Sequence, residues 1–240
     1  RDHVLFVEFP DIFESFRKYW ASKAGNWWAP DSMPDTQAIM NITRNATMIG
    51  LEDSRPPGHR GSSAFIVVPY FANTSKYEAL ATQRRDYLVG FVASSELEKH
   101  PACGTCALVH INNSKLRNRI FDDLYSGCAA DECLVHDLSQ MSNFSVGKRA
   151  SMKFLTAHVD FGEVVHNSVF CPIPRGDSWS SKRLFTAILG GCIPVLISDA
   201  IPLPFAPALD YRGSTLRISE AQMMSPDFSL ATFLRSQPPR

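Results

Sequence analysis

CPIPRGDSWSSKRLFTAILGGCIPVLISDAIPLPF, residues 171–205, carries the clearest pattern of secondary structure in this chain. With the three residues before it, this stretch contains an apolar strand pattern, a turn rich in Pro, Gly and Ser, a helical pattern and a second apolar strand pattern. The order strand, turn, helix, strand is that of a βαβ crossover, which belongs to a parallel sheet. Parallel sheets bind ligands beyond the carboxyl ends of their strands. The sequence therefore predicts an α/β fold with a ligand site at residues 174–180.

The first turn of the predicted helix carries Lys182 and Arg183, although the helix dipole disfavours positive charge at this end. Free N–H groups at a helix N-terminus attract phosphate, and a guanidinium adds a two-pronged donor for the same anion. A bound diphosphate would offset the charge. A second interpretation stays open, in which Arg183 pairs with a nearby acid such as Asp177, and Ser178 or Ser180 only caps the helix.

The composition excludes several classes of protein. The chain has 240 residues, 45% of them hydrophobic, which is enough for one large or two small globular domains. The 24 Lys and Arg residues equal the 24 Asp and Glu residues, and no basic run is long enough for a polyanion, so nucleic acid is not an expected partner. Every apolar run is shorter than the ~18 residues of a membrane span. A membrane anchor, if the protein has one, is expected outside this chain.

Common catalytic motifs do not occur in the sequence. The chain contains no G-x-S-x-G, G-x-G-x-x-G, G-x-x-x-x-G-K-[ST] or H-E-x-x-H, the motifs of many hydrolases, dinucleotide-binding proteins, P-loop proteins and zinc proteases. It also has no D-x-D pair to hold a divalent ion against a nucleotide diphosphate. If the chain is a nucleotide-sugar enzyme, we therefore expect no metal and no cofactor, with an arginine and a helix terminus taking the place of a cation.

Five Asn-x-Ser/Thr sequons bear on the compartment of the protein. They lie between apolar segments and predict loops that are glycosylated in the secretory lumen. Their asparagines are Asn41, Asn45, Asn73, Asn112 and Asn143.

The six cysteines agree with an oxidising compartment. A C-x-x-C begins at Cys103 and a C-x4-C begins at Cys128. These four cysteines form a conceivable zinc site, but disulfides are the more economical interpretation. Cys171 and Cys192 lie in apolar segments and are predicted to be buried thiols.

The rest of the chain alternates between strand and helix patterns. We predict an ambiguous helix-then-strand segment at residues 37–52 and an amphipathic helix at residues 114–127. Further strands are predicted at residues 3–9, 64–71, 86–94 and 106–111, and a strand or turn at residues 133–139. The polar residues 139–150 form the best candidate for a linker.

Several stretches match the signature of one known family. Residues 168–211, SVFCPIPRGDSWSSKRLFTAILGGCIPVLISDAIPLPFAPALDY, resemble the C-terminal signature of the exostosin-like proteins, glycosyltransferase family 47. That signature combines S-x-F-C-L-x-P-x-G, S-x-R, G-C-I-P-V-x-x-S-D and L-P-F. AFIVVPY, RRDYLVGFVAS and RDHVLFV resemble three of the family's strands and occur in the family's order.

The resemblance implies a GT-B fold, in which two Rossmann-like domains face each other across a cleft. Residues 146–240 are then the nucleotide-sugar-binding domain with a parallel sheet, and residues 1–145 are a partial, truncated acceptor-side α/β domain. The implied activity is the inverting, metal-independent transfer of a sugar from a nucleotide diphosphate, commonly UDP, to an oligosaccharide or polysaccharide in the Golgi lumen. The alternative is a non-catalytic nucleotide-sugar or glycan-binding relative that partners an active transferase in a homo- or hetero-oligomer.

The resemblance also assigns the residues that face the donor. Arg175, Gly176 and Asp177 match the turn on the donor side. Ser181 and Arg183 match the family's S-x-R, with Arg183 as the diphosphate clamp. A guanidinium in this place suits the reaction, because a departing nucleotide diphosphate gains negative charge in the transition state.

Other candidate residues lie on either side of this turn. Asp199 ends the following strand, where its carboxylate is expected to reach a ribose or sugar hydroxyl, and the L-P-F of residues 203–205 is expected to form the wall behind it. An inverting transfer needs a base to take the proton of the acceptor hydroxyl. Asp2 and His3 fall on the family's D-H strand and are the candidates for that base.

Overall fold

The computed structural model describes residues 4–7, 47–50, 65–70, 84–95, 106–129, 131–141, 161–176, 181–199, 201, 203–206 and 208–238. These residues form two parallel sheets with helices, which confirms the predicted α/β class. Within this part of the chain, no helix is both long and apolar enough to cross a bilayer.

The first sheet has three parallel strands in the order β1, β2, β3. They are β1 (Val4–Val7), β2 (Thr47–Gly50) and β3 (Phe65–Val67). Each strand lies inside a segment whose sequence predicted a strand or a helix followed by a strand. Parallel neighbours require crossover connections, which is the pattern of a Rossmann-like unit.

The second sheet has five parallel strands in the order β5, β4, β6, β7, β8. These strands are β4 (Tyr87–Ala93), β5 (Cys133–Asp137), β6 (Ser168–Pro174), β7 (Ile193–Ile197) and β8 (Leu216–Ile218). The helices are α1 (Cys106–Gly127), α2 (Leu138–Met141), α3 (Phe161–Asn167), α4 (Lys182–Leu189), α5 (Glu220–Met224) and α6 (Leu230–Arg235). The unit β6–α4–β7 is the predicted βαβ crossover.

The order in which the chain adds strands to this sheet changes sides at β4. From β4 it passes through α1 to β5 on one side, and after α3 it reaches β6 on the other side. Val89 in β4 is therefore in register with Cys133 in β5 and with Phe170 in β6. Such a switch point leaves a crevice at the carboxyl ends of the two diverging strands. The crevice of this sheet lies between the ends of β4 and β6.

Helices cover both faces of the five-stranded sheet. On one face, side chains of α1, α5 and α6 pack against the strands, with Phe91 and Phe121 in ring contact. On the other face, α4 and α3 contribute a second cluster around Ile173 and Leu196. Strands buried on both faces explain the nearly continuous apolar runs in the sequence.

The amino edge of the sheet is closed by a partly buried arginine. Arg85 Nη1 donates to the carbonyl oxygens of Val165 (2.8 Å), His166 (3.1 Å) and Ser168 (2.7 Å). Its Nη2 donates to the carbonyl of Gly190 (2.9 Å). One guanidinium thus satisfies carbonyls at the C-terminal ends of both α3 and α4, where a cation is also favoured by the helix dipole. Burial lowers the pKa of Arg85 from its ordinary value.

Residues 106–111 do not form the predicted strand, because they are the first turns of α1. A short apolar run has no period that separates a buried strand from a helix, and here it continues into the amphipathic pattern of residues 114–127. The sequon asparagine Asn112 also lies in this helix and not in a loop. The other four sequon asparagines lie outside the described residues.

The prediction that Cys171 and Cys192 are thiols is wrong. Both residues are buried, as expected, but they form a disulfide with a Cα–Cα distance of 5.9 Å. Cys171 lies in β6 and Cys192 directly precedes the neighbouring β7, so the sheet brings together residues that are 21 apart in sequence.

A second disulfide joins Cys128 and Cys133. It follows the interpretation favoured from the sequence, and it removes the thiolates that a zinc site at these two cysteines needs. Glu132 lies beside the two sulfurs, but a disulfide is not a metal ligand of that kind. The C-x-x-C that begins at Cys103 lies outside the residues whose side chains are described.

The division predicted between residues 145 and 146 lies outside the described residues. Strands β4 and β5 precede this position, and they share one sheet with β6, β7 and β8, which follow it. The five-stranded sheet therefore takes its residues from Tyr87 onward.

Candidate functional site

The candidate site lies at the carboxyl edge of the five-stranded sheet, where the crevice between β4 and β6 opens. Ser94 follows β4, Arg175 and Gly176 follow β6, and Asp199 follows β7. The structure thus brings three residues assigned from the sequence to the same edge of the sheet. Asp177, Asp2 and His3 lie outside the described residues.

A buried arginine of α1 joins the two sides of the crevice. Arg117 Nη1 donates to the carbonyl oxygen of Ser94 (3.2 Å), and Nη2 donates to the carbonyl oxygen of Arg175 (3.1 Å). The residue is only 2% exposed. A planar guanidinium with two fixed donors is a rigid bridge in such surroundings. Arg117 therefore fixes the end of β4 relative to the end of β6.

A buried asparagine one helical turn earlier supports the same turn. Asn113 Nδ2 donates to the carbonyl oxygen of Gly176 (2.7 Å). Asn113 and Arg117 are four residues apart in α1, so their side chains lie on one face of the helix. Sequence reasoning missed both residues. The available signal was two polar residues on the face that also carries buried Leu116 and Ile120.

The predicted Arg175 and Asp199 are linked through a third residue. Arg175 is buried and forms an ion pair with Glu220, with 3.3 Å between Nη2 and Oε2. The backbone N–H of Glu220, the first residue of α5, donates to Asp199 Oδ1 (3.0 Å). Asp199 itself is exposed. Glu220, which the sequence analysis did not identify, thus holds the residues that follow β6 and β7.

Helix α4 begins without a side-chain cap. Ser181 occupies the N-cap position in an extended conformation and is buried, but its side chain accepts no hydrogen bond from the helix. The N-cap serines of α5 and α6, Ser219 and Ser229, do accept such bonds. The first turn of α4 carries exposed Lys182 and partly exposed Arg183. The alternative cap residues lie outside the described part of the chain.

The L-P-F turn connects the two sheets. The backbone N–H of Phe205 donates to the carbonyl oxygen of Val67 at the end of β3 (3.0 Å), and Tyr211 Oη donates to the carbonyl of Pro204 (3.0 Å). Phe205 has φ = 56° and is 44% exposed. A left-handed backbone costs a non-glycine residue on the order of 1 kcal/mol, and it persists where neighbouring contacts require it.

A ring contact accompanies this turn. Tyr70, three residues after β3, packs against Phe185 of α4 with 5.8 Å between ring centroids. The segment that leaves β3 therefore contacts both α4 and the L-P-F turn. The end of β3 and the residues just after it are thus linked to the L-P-F turn and to α4.

Comparison with known proteins agrees with the signature of residues 168–211. A family model described as the Exostosin GT47 domain matches residues 1–233. A probable arabinosyltransferase of Arabidopsis thaliana is 39% identical over 216 residues, which cover 88% of the chain and 42% of that protein. Exostosin-1a of Danio rerio is 42% identical over 220 residues, which cover 90% of the chain and 26% of that protein.

A third relative is more distant. Exostosin-2 of Mus musculus is 30% identical over 197 residues, which cover 81% of the chain and 25% of that protein. The chain therefore spans less than half of the length of each of these three curated relatives.

Proposed function

The chain belongs to the exostosin GT47 family, and on this premise we propose that it transfers a sugar from a nucleotide diphosphate donor to an oligosaccharide or polysaccharide. UDP is the proposed nucleotide. The observation that carries the proposal is the start of α4, an uncapped helix N-terminus with Arg183 in its first turn. It follows a turn whose first two carbonyls are held by α1. Helix N–H groups and a guanidinium in this arrangement suit a diphosphate.

The proposed reaction is an inverting displacement at the anomeric carbon. The acceptor oxygen forms a bond to this carbon on the face opposite the diphosphate, while the bond from the carbon to the diphosphate oxygen breaks. Negative charge then grows on the diphosphate, and the start of α4 with Arg183 stabilises it more strongly in the transition state than in the bound donor. A base removes the acceptor proton, and Asp2 and His3 are our candidates for it.

The remaining residues are proposed to shape the donor site. Arg175 and Gly176 position the turn, and Asp177 and Ser181 face the donor beside the diphosphate. The carboxylate of Asp199 accepts a hydrogen bond from a ribose or sugar hydroxyl of the donor, with residues 203–205 behind it. These assignments need no metal ion and no cofactor, because the cationic groups are supplied by the protein.

We further propose that the protein acts in the Golgi lumen. The disulfides Cys128–Cys133 and Cys171–Cys192 support an oxidising compartment. A homo- or hetero-oligomer with an active transferase remains the arrangement expected for the alternative, non-catalytic function.

Calorimetric titration of the folded chain with UDP tests the donor site. We expect binding in the presence of a chelator, and Arg183→Ala should weaken it by about 2 kcal/mol, the scale of a lost charge-assisted contact. Lys182→Ala is the matched control, because it removes an exposed cation from the same helical turn. An equal loss in the two variants would mean that general charge, and not a clamp, attracts the nucleotide.

Transfer assays separate the two candidate functions. In the full-length protein, Arg183→Ala should abolish transfer of sugar from the UDP donor, and unchanged turnover would contradict the proposal. UDP binding with no transfer to any acceptor would favour the non-catalytic relative. Selective binding of a different nucleotide would favour another phosphate ligand.

A further inference from the structure

A buried carboxylate at the end of β5 has one oxygen without a partner among the described residues. Asp137 is only 5% exposed. Its Oδ1 accepts three hydrogen bonds, from the N–H of Ser95 (3.0 Å) and from the N–H (3.1 Å) and hydroxyl (2.6 Å) of Ser139. Its Oδ2 is buried and accepts none from the part of the chain that the structure describes.

The unequal use of the two oxygens fixes the orientation of Asp137. Three donors on Oδ1 prevent the carboxylate from rotating, so Oδ2 keeps one direction. A buried charged oxygen without a donor is unfavourable, and native proteins normally supply a donor from the protein, from water or from a ligand. The hydroxyls of Ser95 and Ser139 lie 2.6 Å apart beside this carboxylate, so two hydroxyl groups belong to the described surroundings of Asp137.

The position of Asp137 in the fold indicates which group donates a hydrogen bond to its Oδ2. Strands β4 and β5 with α1 form the βαβ unit that borders the crevice, and Asp137 ends the second strand of this unit. In Rossmann-type nucleotide sites, an acidic residue at this place accepts a hydrogen bond from a ribose hydroxyl. Asp137 lies 42 residues after Ser95, whereas the acidic residue of such sites usually follows the first strand by roughly 20 residues. The topology of the sheet, and not this spacing, places Asp137 at the end of the second strand.

The distance across the sheet also suits a nucleotide. Strand β5 is separated from β6 by β4 alone, so its end lies about 10 Å from the turn after β6, at two strand spacings. A nucleoside diphosphate whose phosphates lie at the start of α4 extends past the end of β4 toward β5. Asp199 follows β7, which lies on the side of β6 away from β5. Its carboxylate is therefore available to the donor sugar and not to the ribose.

We propose that Asp137 Oδ2 accepts a hydrogen bond from a ribose hydroxyl of the donor nucleotide, in a subsite bordered by Ser95 and Ser139. This inference rests on the proposed function, because it needs a nucleotide in the crevice. It adds a specificity: the site distinguishes a ribonucleotide from a nucleotide without ribose hydroxyls.

Calorimetry with UDP and 2′,3′-dideoxyuridine diphosphate tests the subsite. The unsubstituted chain should bind UDP about ten- to hundredfold more tightly than the dideoxy compound, the effect of one hydrogen bond to a charged group. Asp137→Asn should bind the two compounds within about threefold of each other. The donors on Oδ1 hold the amide oxygen of the substituted side chain in place, so its NH₂ group replaces the free acceptor.

Asp131→Asn is the matched control, because Asp131 is an exposed acid before the start of β5. It should keep the preference for UDP. Equal binding of the two compounds by the unsubstituted chain, or an unchanged preference in Asp137→Asn, overturns the subsite and leaves the proposed function intact. A folded chain that binds neither compound contradicts the proposed function and the subsite with it.

A crystal structure with UDP decides the matter if Asp137→Asn does not fold. A ribose oxygen within about 3.2 Å of Oδ2 supports the inference. A ribose elsewhere in the crevice, with water or a protein group on Oδ2, overturns it.

Discussion

The two edges of the five-stranded sheet are each held by one arginine, but the two arginines have different consequences. At the amino edge, Arg85 satisfies four carbonyl oxygens, at the ends of α3 and α4 and at the start of β6, and the Cys171–Cys192 disulfide lies nearby. At the carboxyl edge, Arg117 bridges carbonyls that belong to the diverging ends of β4 and β6. The same chemical group thus closes one edge and spans an opening at the other.

The two edges are therefore expected to serve different ends, stability at one and the proposed function at the other. The amino edge is fixed by the Cys171–Cys192 disulfide and by the hydrogen bonds of Arg85 to four carbonyl oxygens. The carboxyl edge carries the turn after β6, the uncapped start of α4 and the buried Asp137. Substitutions at the amino edge should therefore change folding alone, and substitutions at the carboxyl edge should change nucleotide binding.

Arg85→Met should give the largest effect. The substitution keeps an apolar stem and leaves four carbonyl oxygens without their donor, so we expect a loss of about 3–5 kcal/mol in the free energy of unfolding. Denaturant titration measures this loss. Arg84→Met, at the exposed neighbouring position, is the control and should change stability little. A loss in Arg85→Met as small as in the control would refute the role of Arg85 in closing the amino edge.

Arg117→Met should lower stability less, by about 2 kcal/mol, and should weaken UDP binding about tenfold or more, because the ends of β4 and β6 lose their bridge. Arg119→Met is the control on the same helix. Arg119 donates to the carbonyls of Ser225 and Phe228, away from the crevice, so its loss should reduce stability and leave UDP affinity unchanged. Equal UDP affinities in the two variants would show that Arg117 does not position the site.

His136→Gln should give the smallest effect, and only in acid. Burial lowers the pKa of His136, against a smaller opposing influence of Glu163. The unfolded chain, with an ordinary histidine pKa near 6.5, binds a proton that the folded chain does not, so stability is present above this pH and is lost as the pH falls below it. Urea titrations measure the free energy of unfolding at about pH 7.5 and about pH 5.5. Between these two pH values it should fall less in the variant than in the unsubstituted protein. An equal loss in both proteins would mean that other groups cause the acid sensitivity.

The sequence predicts the helices and strands of this fold better than it predicts which of them lie side by side. The unit of residues 168–198 has a clear period, and its strand, helix and strand are all found. Residues 106–111 were predicted wrongly because a short apolar run suits either a strand or a helix. The Cys171–Cys192 disulfide depends on the pairing of β6 with β7, which no local pattern encodes.

The site shows the same limit. Arg175 and Gly176 were assigned to the donor side because the family resemblance places them in the turn after a strand, and Asp199 was expected at the end of the following strand. Asn113, Arg117 and Asp137 act through contacts with other strands, and these contacts exist only because β5 and β6 lie on opposite sides of β4. Such an order is a property of long-range packing, so their positions in sequence carry no sign of it.

The central place of β4 also has a consequence for the newly made chain. Residues 87–93 leave the ribosome before either neighbouring strand has been synthesised, and Ser168, which pairs with Tyr87, follows roughly 80 residues later. At about 5–20 residues per second, this apolar strand waits roughly 4 to 16 s with an open edge, a state that invites aggregation or a chaperone. The sheet becomes complete around β4 only when the β6 segment has emerged. The crevice between the ends of β4 and β6 therefore forms at the same time as the open edge of β4 is covered.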